Sequence, residues 1–373
     1  MPKTIVYFSS STIPSLEANS IHVMLMAEAL SQHGHQVTLI ANRGSFNSID
    51  DVYSQYGVSK NFTIRFCVRP TAPVVGSLIY GFFSALTCFR LGPKLLFARC
   101  PHSLFFSAIF NKPFIYEAHD LPKGRLRKFV ETKLFRKTNF QRLVVISDAL
   151  KRDYIREFSM LRDEDILVAH DGAKTSKDCF VPGYTKARTN FDKGLSVGYV
   201  GSLYAGKGVE GVIELAKERP MHRYKIVGGT SREIDIWMKK SPKNIEFHGR
   251  IDPSEVPAIL RTFDVLLMPA LNKIETSKGG NIAAYTSPLK MFEYMASGRP
   301  IISSNLHVLM EVLTDNFNAL LAPPTDIAQW GIALDRLEKD TALRERLASN
   351  ALEELRERYT WFKRAANVLT IIQ

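Results

Sequence analysis

Cysteine is scarce in this chain. Only four cysteines occur in 373 residues, and their positions show no paired spacing. The first residues lead straight into the apolar run at residues 5–8, so we expect no signal peptide. Together these features argue against a disulfide-stabilised secreted protein and favour the reducing cytoplasm.

Long uncharged runs are rare as well. The stretch at residues 72–89 is just long enough to suggest a transmembrane helix, but proline, glycine, serine and threonine dilute its hydrophobicity. It also stands where an α/β domain needs a crossover helix. We therefore predict a helix that is buried or grazes a membrane surface, and not a membrane span.

Acidic residues are the minority charge. The chain has 49 Lys and Arg against 37 Asp and Glu, a net charge of +12, which indicates an acidic partner such as nucleic acid, a phosphorylated substrate or an anionic lipid surface. Eight basic residues lie between Lys123 and Arg142 with a single acid, Glu131, and apolar residues recur there at helical spacing. A helix on an anionic inner-membrane surface and a helix with a solvated basic face both explain this segment. Aromatic residues are not interleaved with the charges, so we expect no nucleic-acid binding.

The alternation of strands and helices predicts the fold. The length exceeds what one hydrophobic core usually holds, so two domains are expected. Short apolar strands alternate with helical patterns at residues 5–8, 37–41, 95–98, 114–117 and 143–146, and again at 195–200, 224–227, 245–247, 265–268 and 300–302. This is the βαβ rhythm of parallel sheets, whose ligands bind at the carboxyl ends of the strands. We predict an α/β protein with two doubly wound, Rossmann-like domains, residues 1–185 and 186–357, and a final helix at residues 358–373.

Polar candidates in the first half follow predicted strands. His119 and Asp120 come directly after the strand at residues 114–117, where cleft chemistry is expected. His119 suits contact with a sugar hydroxyl or phosphate, and Asp120 is placed to orient it or to bind an acceptor, although a helix N-cap explains the pair equally well. Asn19 and Ser20 lie after the first strand, where we expect one of them to cap the next helix and to aim its amides at the acceptor.

A glycine-rich loop opens the second half. Gly201 and Gly206 follow its first strand, and Lys207 precedes the next helix. Glycines let a backbone approach a phosphate closely, and the lysine can neutralise the charge, but an ordinary strand-to-helix turn explains the loop too. No hydroxyl follows the lysine as in a Walker loop. Further along, backbone groups of Arg250 and Ile251 are placed to read the edge of a base, with an ordinary strand end as the alternative.

The segment at residues 287–302 carries the densest set of candidates. Pro288 suits the start of a helix, where the free amides of Leu289 and Lys290 would face an anion. Lys290 adds a full positive charge, and Glu293 falls about one turn later, where a carboxylate can accept two hydrogen bonds from ribose hydroxyls. An amphipathic helix between two strands is the alternative reading.

In this order the segments resemble the GT-B glycosyltransferases of family 4, the large retaining group that shares the glycosyltransferases group 1 domain. The likeness covers nearly the whole chain. It rests in the first half on residues 18–23, 34–38, 117–120, 144–147 and 169–172, and in the second half on residues 201–208, 249–250, 287–300 and 359–361.

The resemblance implies a nucleotide-sugar donor held by the second domain. The sequence shows no acidic metal-binding pair like that of GT-A enzymes, so we expect no metal and no resident cofactor. Lys207 would bind the diphosphate, Glu293 the ribose, and backbone near Arg250 and Ile251 the base. His119 would lie beside the transferred sugar, and the final helix at residues 358–373 would cross back to the first domain. The sugar would transfer on its front face with retention, and the leaving diphosphate would take the proton of the acceptor hydroxyl.

Two positions depart from the family pattern. The family's usual phosphate-binding arginine is Ser202 here, and the first glutamate of its Glu-x7-Glu motif is Tyr285. We predict that Lys290 and Ser287 substitute at the diphosphate and restore the lost charge.

The expected function is a retaining, metal-independent hexosyltransferase of bacterial surface polysaccharide synthesis, such as capsule, O-antigen or lipopolysaccharide. Its acceptor would be a glycan or a lipid-linked sugar, used in the cytoplasm or at the inner face of the plasma membrane. One alternative is a non-catalytic nucleotide-sugar-binding subunit of a synthase complex, suggested by Ser202 and Tyr285. Another is a GT-B sugar-nucleotide epimerase, which would need acid–base carboxylates in its cleft.

Overall fold

The protein consists of two compact units. A computed structural model describes residues 2–175, 194–273, 283, 285 and 287–370. The first unit is Met1–His170 together with Trp361–Gln373, and the second unit is Asp171–Thr360, so the second is inserted into the first. The boundary predicted at residue 185 lies outside the described residues.

The first unit is a doubly wound α/β unit. Its strands are β1 Thr4–Ile13, β2 Gln36–Arg43, β3 Thr63–Cys67, β4 Leu95–Ala98, β5 Phe114–Ala118, β6 Phe140–Val145 and β7 Ile166–Val168. Its helices are α1 Ala18–Gln32, α2 Ile49–Gln55, α3 Pro73–Phe89, α4 Pro101–Ser107, α5 Arg125–Phe135 and α6 Asp148–Glu157. All seven strands run parallel, in the order β3-β2-β1-β4-β5-β6-β7. The central strands β4 and β5 are buried along their whole length, as expected for a parallel sheet covered on both faces.

The second unit repeats this architecture. Its strands are β8 Ser196–Val200, β9 Arg223–Val227, β10 Ile245–His248, β11 Val265–Met268, β12 Ile301–Ser304 and β13 Leu320–Ala322. Its helices are α7 Val209–Glu218, α8 Ser231–Met238, α9 Val256–Leu260, α10 Leu289–Ala296, α11 Ile327–Lys339 and α12 Thr341–Arg358. These six strands are also parallel, in the order β10-β9-β8-β11-β12-β13.

Each sheet reverses its strand order once. The reversal lies between β1 and β4 in the first unit and between β8 and β11 in the second. At such a point the connections leave toward opposite faces of the sheet, and a crevice opens beyond the carboxyl ends of the two strands. A ligand site is therefore expected at one such place in each unit.

The predicted class of two doubly wound α/β domains is confirmed, and the strands β3, β7 and β13 are additions to it. All three lie at sheet edges, where a strand is less completely covered and its apolar run is interrupted, as by Arg65 in β3. The helix predicted at residues 72–89 is α3. No helix within the described ranges is long and apolar enough to cross a membrane.

Helix α13, Trp361–Leu369, belongs to the first unit and packs against α1. The Arg364 side chain is only 2% exposed, and its guanidinium lies 2.7 Å from the fully buried carboxylate of Glu117 on β5. It also donates hydrogen bonds to the backbone carbonyls of Ala169 and His170, at 3.2 and 3.0 Å. Because a buried charge is stable only when it is paired and hydrogen-bonded, this ion pair fixes α13 to the end of β5.

Replacing Arg364 by glutamine would leave Glu117 buried without its ion pair. We expect Arg364→Gln to lower the free energy of unfolding of the first unit by about 3–5 kcal/mol, the range for breaking a buried pair. The matched control is Arg156→Gln, because Arg156 is 77% exposed and its pair with Asp153 is a surface pair worth at most about 1 kcal/mol. Hydrogen exchange measured along a urea titration gives the free energy of unfolding of each unit separately. Equal losses in the two variants would contradict the prediction.

Candidate functional site

The second unit gathers four predicted donor residues at its strand-order reversal. Gly201 follows β8 directly, Lys207 lies in the loop before α7, and α10 carries Lys290 and Glu293. The charge of Lys290 interacts with both Lys207 and Glu293. A methyl group placed on Gly201 would lie 3.4 Å from Lys290 Nζ. We call these four residues the donor cluster.

Tyr294 joins the two halves of the donor cluster. Its hydroxyl accepts a hydrogen bond from the Val200 amide at 2.8 Å and donates to the Val200 carbonyl at 3.1 Å. The Gly201 amide in turn donates to the Val227 carbonyl at 2.9 Å. The tyrosine therefore sets the distance between the end of β8 and α10. Sequence reasoning missed this role, because a tyrosine on the apolar face of a helix looks like any other core residue.

Two glycines make the loop possible. Gly201 has φ of +153° and Gly208 has φ of +82°, backbone conformations that other residues rarely adopt. A methyl group on Gly208 would come within 1.6 Å of the Pro269 carbonyl oxygen. Only glycine at this position allows the loop to lie so close to the end of β11.

Lys290 carries a buried ammonium group that no described residue satisfies. Its Nζ has no solvent contact and no hydrogen-bond partner in the described part of the chain, and it lies 4.2 Å from the centre of the Tyr199 ring. Burial, together with the charge of Lys207, lowers the pKa of Lys290 well below its ordinary value. An unpaired buried ammonium reduces the stability of the fold. The position of Lys290 therefore indicates a lysine that binds an anionic ligand.

Lys207 adds a second cation. Burial lowers its pKa from 10.5 to about 8. Its Nζ lies 5.1 Å from the centre of the Tyr204 ring. Two lysines that repel each other are thus held beside the backbone amides of a glycine loop and of the first turn of α10. This arrangement suits a group with two or more negative charges, such as a diphosphate.

Glu293 is the acidic member of the donor cluster. It is half-buried, and no described residue forms a hydrogen bond or ion pair with its carboxylate. Burial raises its pKa from 4.5 to about 7, and the charge of Lys290 opposes this rise. A carboxylate without a protein partner is available to accept hydrogen bonds from the vicinal hydroxyls of a sugar.

Other predicted donor positions are occupied by structural contacts. The Ser287 hydroxyl accepts a hydrogen bond from the Asp171 amide at 3.1 Å, and the Gly206 carbonyl accepts one from the Leu271 amide at 2.9 Å. The Ser202 carbonyl accepts a hydrogen bond from the buried Tyr199 hydroxyl at 2.6 Å. These contacts shape the loop walls around the cations.

The start of α10 lies one residue later than predicted. Pro288 has ψ of 123°, an extended conformation, so it caps the helix and Leu289 is the first helical residue. The amides of Leu289 and Lys290 lie in the first turn, where no carbonyl of the helix is available to them. Arg250 and Ile251 follow β10, and Ile251 packs against the core of the unit.

In the first unit one carboxylate oxygen organises the candidate residues. Oε1 of Glu117 lies 2.7 Å from Arg364 Nη2, 2.8 Å from His22 Nε2 and 2.8 Å from His119 Nε2. Burial alone would raise the pKa of Glu117, but the charges of Arg364 and His22 outweigh it and hold the pKa well below its ordinary value. Glu117 is therefore ionised and can only accept hydrogen bonds.

The state of His119 follows from this neighbour. Burial and the charge of Arg99 lower its pKa to about 4, so the ring is neutral near pH 7. Because Glu117 can only accept, His119 Nε2 carries the proton and donates a hydrogen bond to the Glu117 carboxylate. Nδ1 is left as a hydrogen-bond acceptor, with no partner among the described residues. The predicted sugar-contacting histidine is thus fixed in one tautomer.

Asp120 and Arg127 form an ion pair that the sequence did not predict. The Arg127 guanidinium lies 2.6 Å from the Asp120 carboxylate and 2.6 Å from the buried Glu131. Arg127 therefore does not belong to the basic face predicted between Lys123 and Arg142. Arg127 lies one turn of α5 before the buried Glu131 and faces it. A carboxylate buried in this way needs a paired cation to remain stable. Asp120 is consequently engaged within the unit.

The prediction that Asn19 or Ser20 caps α1 is wrong. The helix begins at Ala18, and Glu17 precedes it without a side-chain cap. Ser20 lies in the first turn, and its hydroxyl bonds the carbonyls of Glu17 and Ser15 at 2.7 and 2.8 Å. A serine can satisfy its hydroxyl inside a helix in this way, and its position relative to the helix start was not readable from sequence.

Family profiles match both halves of the chain. The profile described as Glycosyltransferase Family 4 matches residues 20–177, and the profile described as Glycosyl transferases group 1 matches residues 184–354.

Individual relatives are distant. An uncharacterized glycosyltransferase of Methanocaldococcus jannaschii, MJ1607, is 22% identical over 92% of this chain and 90% of that protein. A second one, MJ1069, is 24% identical over 63% of this chain, and the chain spans 58% of its length. A phosphatidyl-myo-inositol mannosyltransferase of Mycobacterium leprae is 29% identical over 35% of this chain and 32% of that protein.

Solved structures share the fold. Anabaena HepE in complex with UDP aligns over 99% of both chains with a TM-score of 0.72 and 15% identity. WaaG, a glycosyltransferase involved in lipopolysaccharide biosynthesis, aligns over 98% of this chain and 99% of its own with a TM-score of 0.68 and 15% identity. With both halves matched by family profiles and both units built alike, the chain belongs to the GT-B glycosyltransferases of family 4.

Proposed function

We propose that this protein transfers a hexose from a nucleoside-diphosphate sugar to a glycan or lipid-linked acceptor. The observation that carries the proposal is the buried Lys290 Nζ, which has no hydrogen-bond partner among the described residues and lies beside Lys207 and the Gly201 loop. A diphosphate supplies the charge and the acceptor oxygens that this place lacks. The structural neighbour HepE was solved with UDP and with UDP-glucose, which is in keeping with such a donor.

In this proposal each member of the donor cluster has one task. Lys207 and Lys290 bind the diphosphate and stabilise the charge that develops on it as the glycosidic bond breaks. The amides of the first turn of α10 bind the same oxygens, and Glu293 accepts hydrogen bonds from the ribose. Ser202 occupies the position of the family's phosphate-binding arginine, and Lys290 supplies the missing positive charge.

We further propose transfer with retention. His119 offers a neutral Nδ1 as an acceptor for a sugar hydroxyl, and its ring is held by Glu117. Glu117 is itself engaged by Arg364 and His22, so it is not available as a covalent nucleophile. The leaving diphosphate would take the proton of the acceptor hydroxyl as that oxygen attacks on the same face.

The acceptor is proposed to belong to a bacterial surface polysaccharide. WaaG, with the same fold, is involved in lipopolysaccharide biosynthesis, and a putative teichuronic acid biosynthesis glycosyltransferase of Bacillus subtilis is 27% identical over 31% of this chain. The excess of basic charge is in keeping with an anionic or lipid-linked acceptor.

We also propose contact with an anionic membrane through the first unit. One face of α3 exposes large apolar side chains, namely Ile79, Phe82, Phe83, Leu86 and Phe89. Residues 52–116 contain seven Lys and Arg and no Asp or Glu. An apolar helix face within an acid-free segment suits insertion at an anionic lipid interface.

The membrane proposal predicts lipid-dependent flotation. Vesicles containing phosphatidylglycerol should float the protein, and phosphatidylcholine vesicles should float less of it. Phe82→Ser with Phe83→Ser should reduce flotation several-fold, because it removes exposed apolar surface. Phe317→Ser, at a comparably exposed position in the second unit, is the control. Equal flotation of both variants would count against this surface.

A donor panel tests the proposed transfer. Thermal shifts with UDP-, GDP-, dTDP-, ADP- and CMP-sugars should identify one nucleotide, and mass spectrometry should detect slow hydrolysis of that donor. Hydrolysis should persist in EDTA, because the two lysines supply the positive charge. Binding without any hydrolysis or transfer would instead favour the non-catalytic subunit, and release of an epimerised sugar would favour the epimerase. A strict metal requirement would refute the assigned role of the lysines.

Replacing Lys290 by methionine should separate stability from binding. Lys290→Met removes a buried charge while keeping the length of the side chain, so the melting temperature of the second unit should rise. The same change should weaken UDP binding about 100-fold, since removing one partner of a buried, hydrogen-bonded charge pair costs about 2–5 kcal/mol of binding free energy. Lys217→Met, an exposed lysine on α7, should change neither quantity. Full UDP affinity in Lys290→Met would refute its role at the diphosphate.

Binding of UDP should take up protons near pH 8. The pKa of Lys207 is about 8 in the free protein, and that of Lys290 is well below its ordinary value. A diphosphate favours the charged lysines and raises both pKa values, so UDP affinity should fall as the pH rises above about 8. Glu293, with a pKa of about 7, is already ionised there. Calorimetry in buffers of different ionisation enthalpy measures the uptake, and proton release at pH 8 would contradict it.

A further inference from the structure

The first unit contains a cavity of about 220 Å³, and most of its lining residues have no role in the proposed transfer. Its lining includes residues at or just beyond the carboxyl ends of β1, β4 and β5, where the strand order of this sheet reverses, together with residues of α3, α4 and α5. Whole ligands usually occupy about 300–1,000 Å³, so this space suits one functional group. We call it the arginine cavity, because Arg69, Arg99 and Arg127 all line it.

Two of these guanidinium groups have no counter-charge among the residues that the structure describes. Arg69 Nη2 donates to the Ser77 hydroxyl at 2.9 Å, and Arg99 Nη1 donates to the Asn19 carbonyl at 3.3 Å. No carboxylate in the described ranges lies within ion-pair distance of either side chain. Their neutral partners orient the side chains but leave their charges unbalanced. Arg127, in contrast, is balanced by two carboxylates.

The charges around the cavity repel one another. Burial and the charges of Arg127 and Arg69 lower the pKa of His102, which also lines the cavity. On another part of the wall, the charge of Arg99 helps to lower the pKa of His119. Cations held together against their repulsion form a region of positive potential, which an anion would relieve.

The two acids in the wall cannot serve as that anion. Glu117 is engaged by Arg364, His22 and His119, and Asp120 is engaged by Arg127. Arg364 and Arg127 already balance these two charges, so neither acid is available to balance Arg69 or Arg99. The unbalanced charge therefore faces the cavity itself.

We propose that the arginine cavity binds a phosphate group carried by the acceptor, with Arg69 and Arg99 as its principal ligands. This proposal rests on the proposed sugar transfer and names the class of acceptor. A guanidinium matches phosphate oxygens with two parallel hydrogen bonds. The three free oxygens of a phosphate monoester can meet Arg69, Arg99 and the His102 imidazole from different sides. The two free oxygens of a diester can meet the two guanidinium groups, whereas a carboxylate holds its two oxygens in one plane.

The position of the cavity explains what such a group would do. His119 lines the same cavity with its ring fixed by Glu117. A phosphate held by arginine would anchor the acceptor through a group that does not react. The hydroxyl that attacks would then be selected by its distance from the anchor.

Histidine NMR tests the proposal without any donor. The full chain is labelled with 13C in its histidine rings, and the His102 signal is assigned with His102→Gln. Inorganic phosphate should shift the His102 signal and raise the pKa of that imidazole. Arg69→Gln should weaken this phosphate binding at least tenfold, and Arg69→Lys should restore part of it. Arg90→Gln, an exposed arginine at the end of α3, is the control and should bind like the unchanged protein.

Two further probes separate the sources of the phosphate. Glycerol 3-phosphate stands for a soluble monoester, and dihexanoyl phosphatidylglycerol below its micelle concentration stands for a lipid diester. A His102 response to either, lost in Arg69→Gln, supports the cavity and identifies the source by whichever probe binds more tightly. Acetate should give no comparable response.

Failure of this inference is distinguishable from failure of the proposed function. No His102 response to any phosphate probe, or an equal response in Arg69→Gln, would overturn the phosphate site even if a nucleotide sugar is hydrolysed. A response that depends on Arg69 would uphold the site even in a protein that transfers no sugar.

Discussion

A single carboxylate oxygen holds the first unit together. Oε1 of Glu117 receives contacts from α1, from α13 and from the residue beyond β5, and each partner depends on its remaining ionised. The ionised state is secured by Arg364, which brings a full positive charge into the interior and is itself satisfied by two carbonyls. The contacts of Glu117 therefore determine both the tautomer of His119 and the position of α13.

Two sites treat buried charge in opposite ways. At Glu117 and Arg364 in the first unit, a buried cation and a buried anion neutralise each other, so these charges stabilise the fold. Among the described residues of the second unit, Lys290 is buried without an anion, and Glu293 has no cation close enough to pair. Unpaired charges reduce stability, and proteins retain them chiefly where a ligand supplies the missing partner. Whether a buried charge is paired therefore distinguishes a structural contact from a ligand site more clearly than the shape of a pocket does.

Much of the fold was predictable because the strands of parallel sheets are nearly continuous apolar runs between turn residues. The donor cluster was predictable for a related reason, since Gly201, Lys207 and Lys290 occur at strand ends or helix starts. The missed features depend on contacts between distant parts of the chain. Tyr294 bonds to a residue 94 positions away, and the buried role of Arg127 depends on how α5 is rotated. Local patterns carry no record of such contacts.

The return of α13 to the first unit has a consequence for how the protein is made. Glu117 and Arg364 are 247 residues apart, and the whole second unit is synthesised between them. The unit whose chain starts first is therefore the last to be completed, while the inserted unit can fold as soon as its own strands have emerged. Until α13 arrives, the nascent first unit holds a carboxylate without its guanidinium. The order in which the two units are completed is thus the reverse of the order in which they begin along the chain.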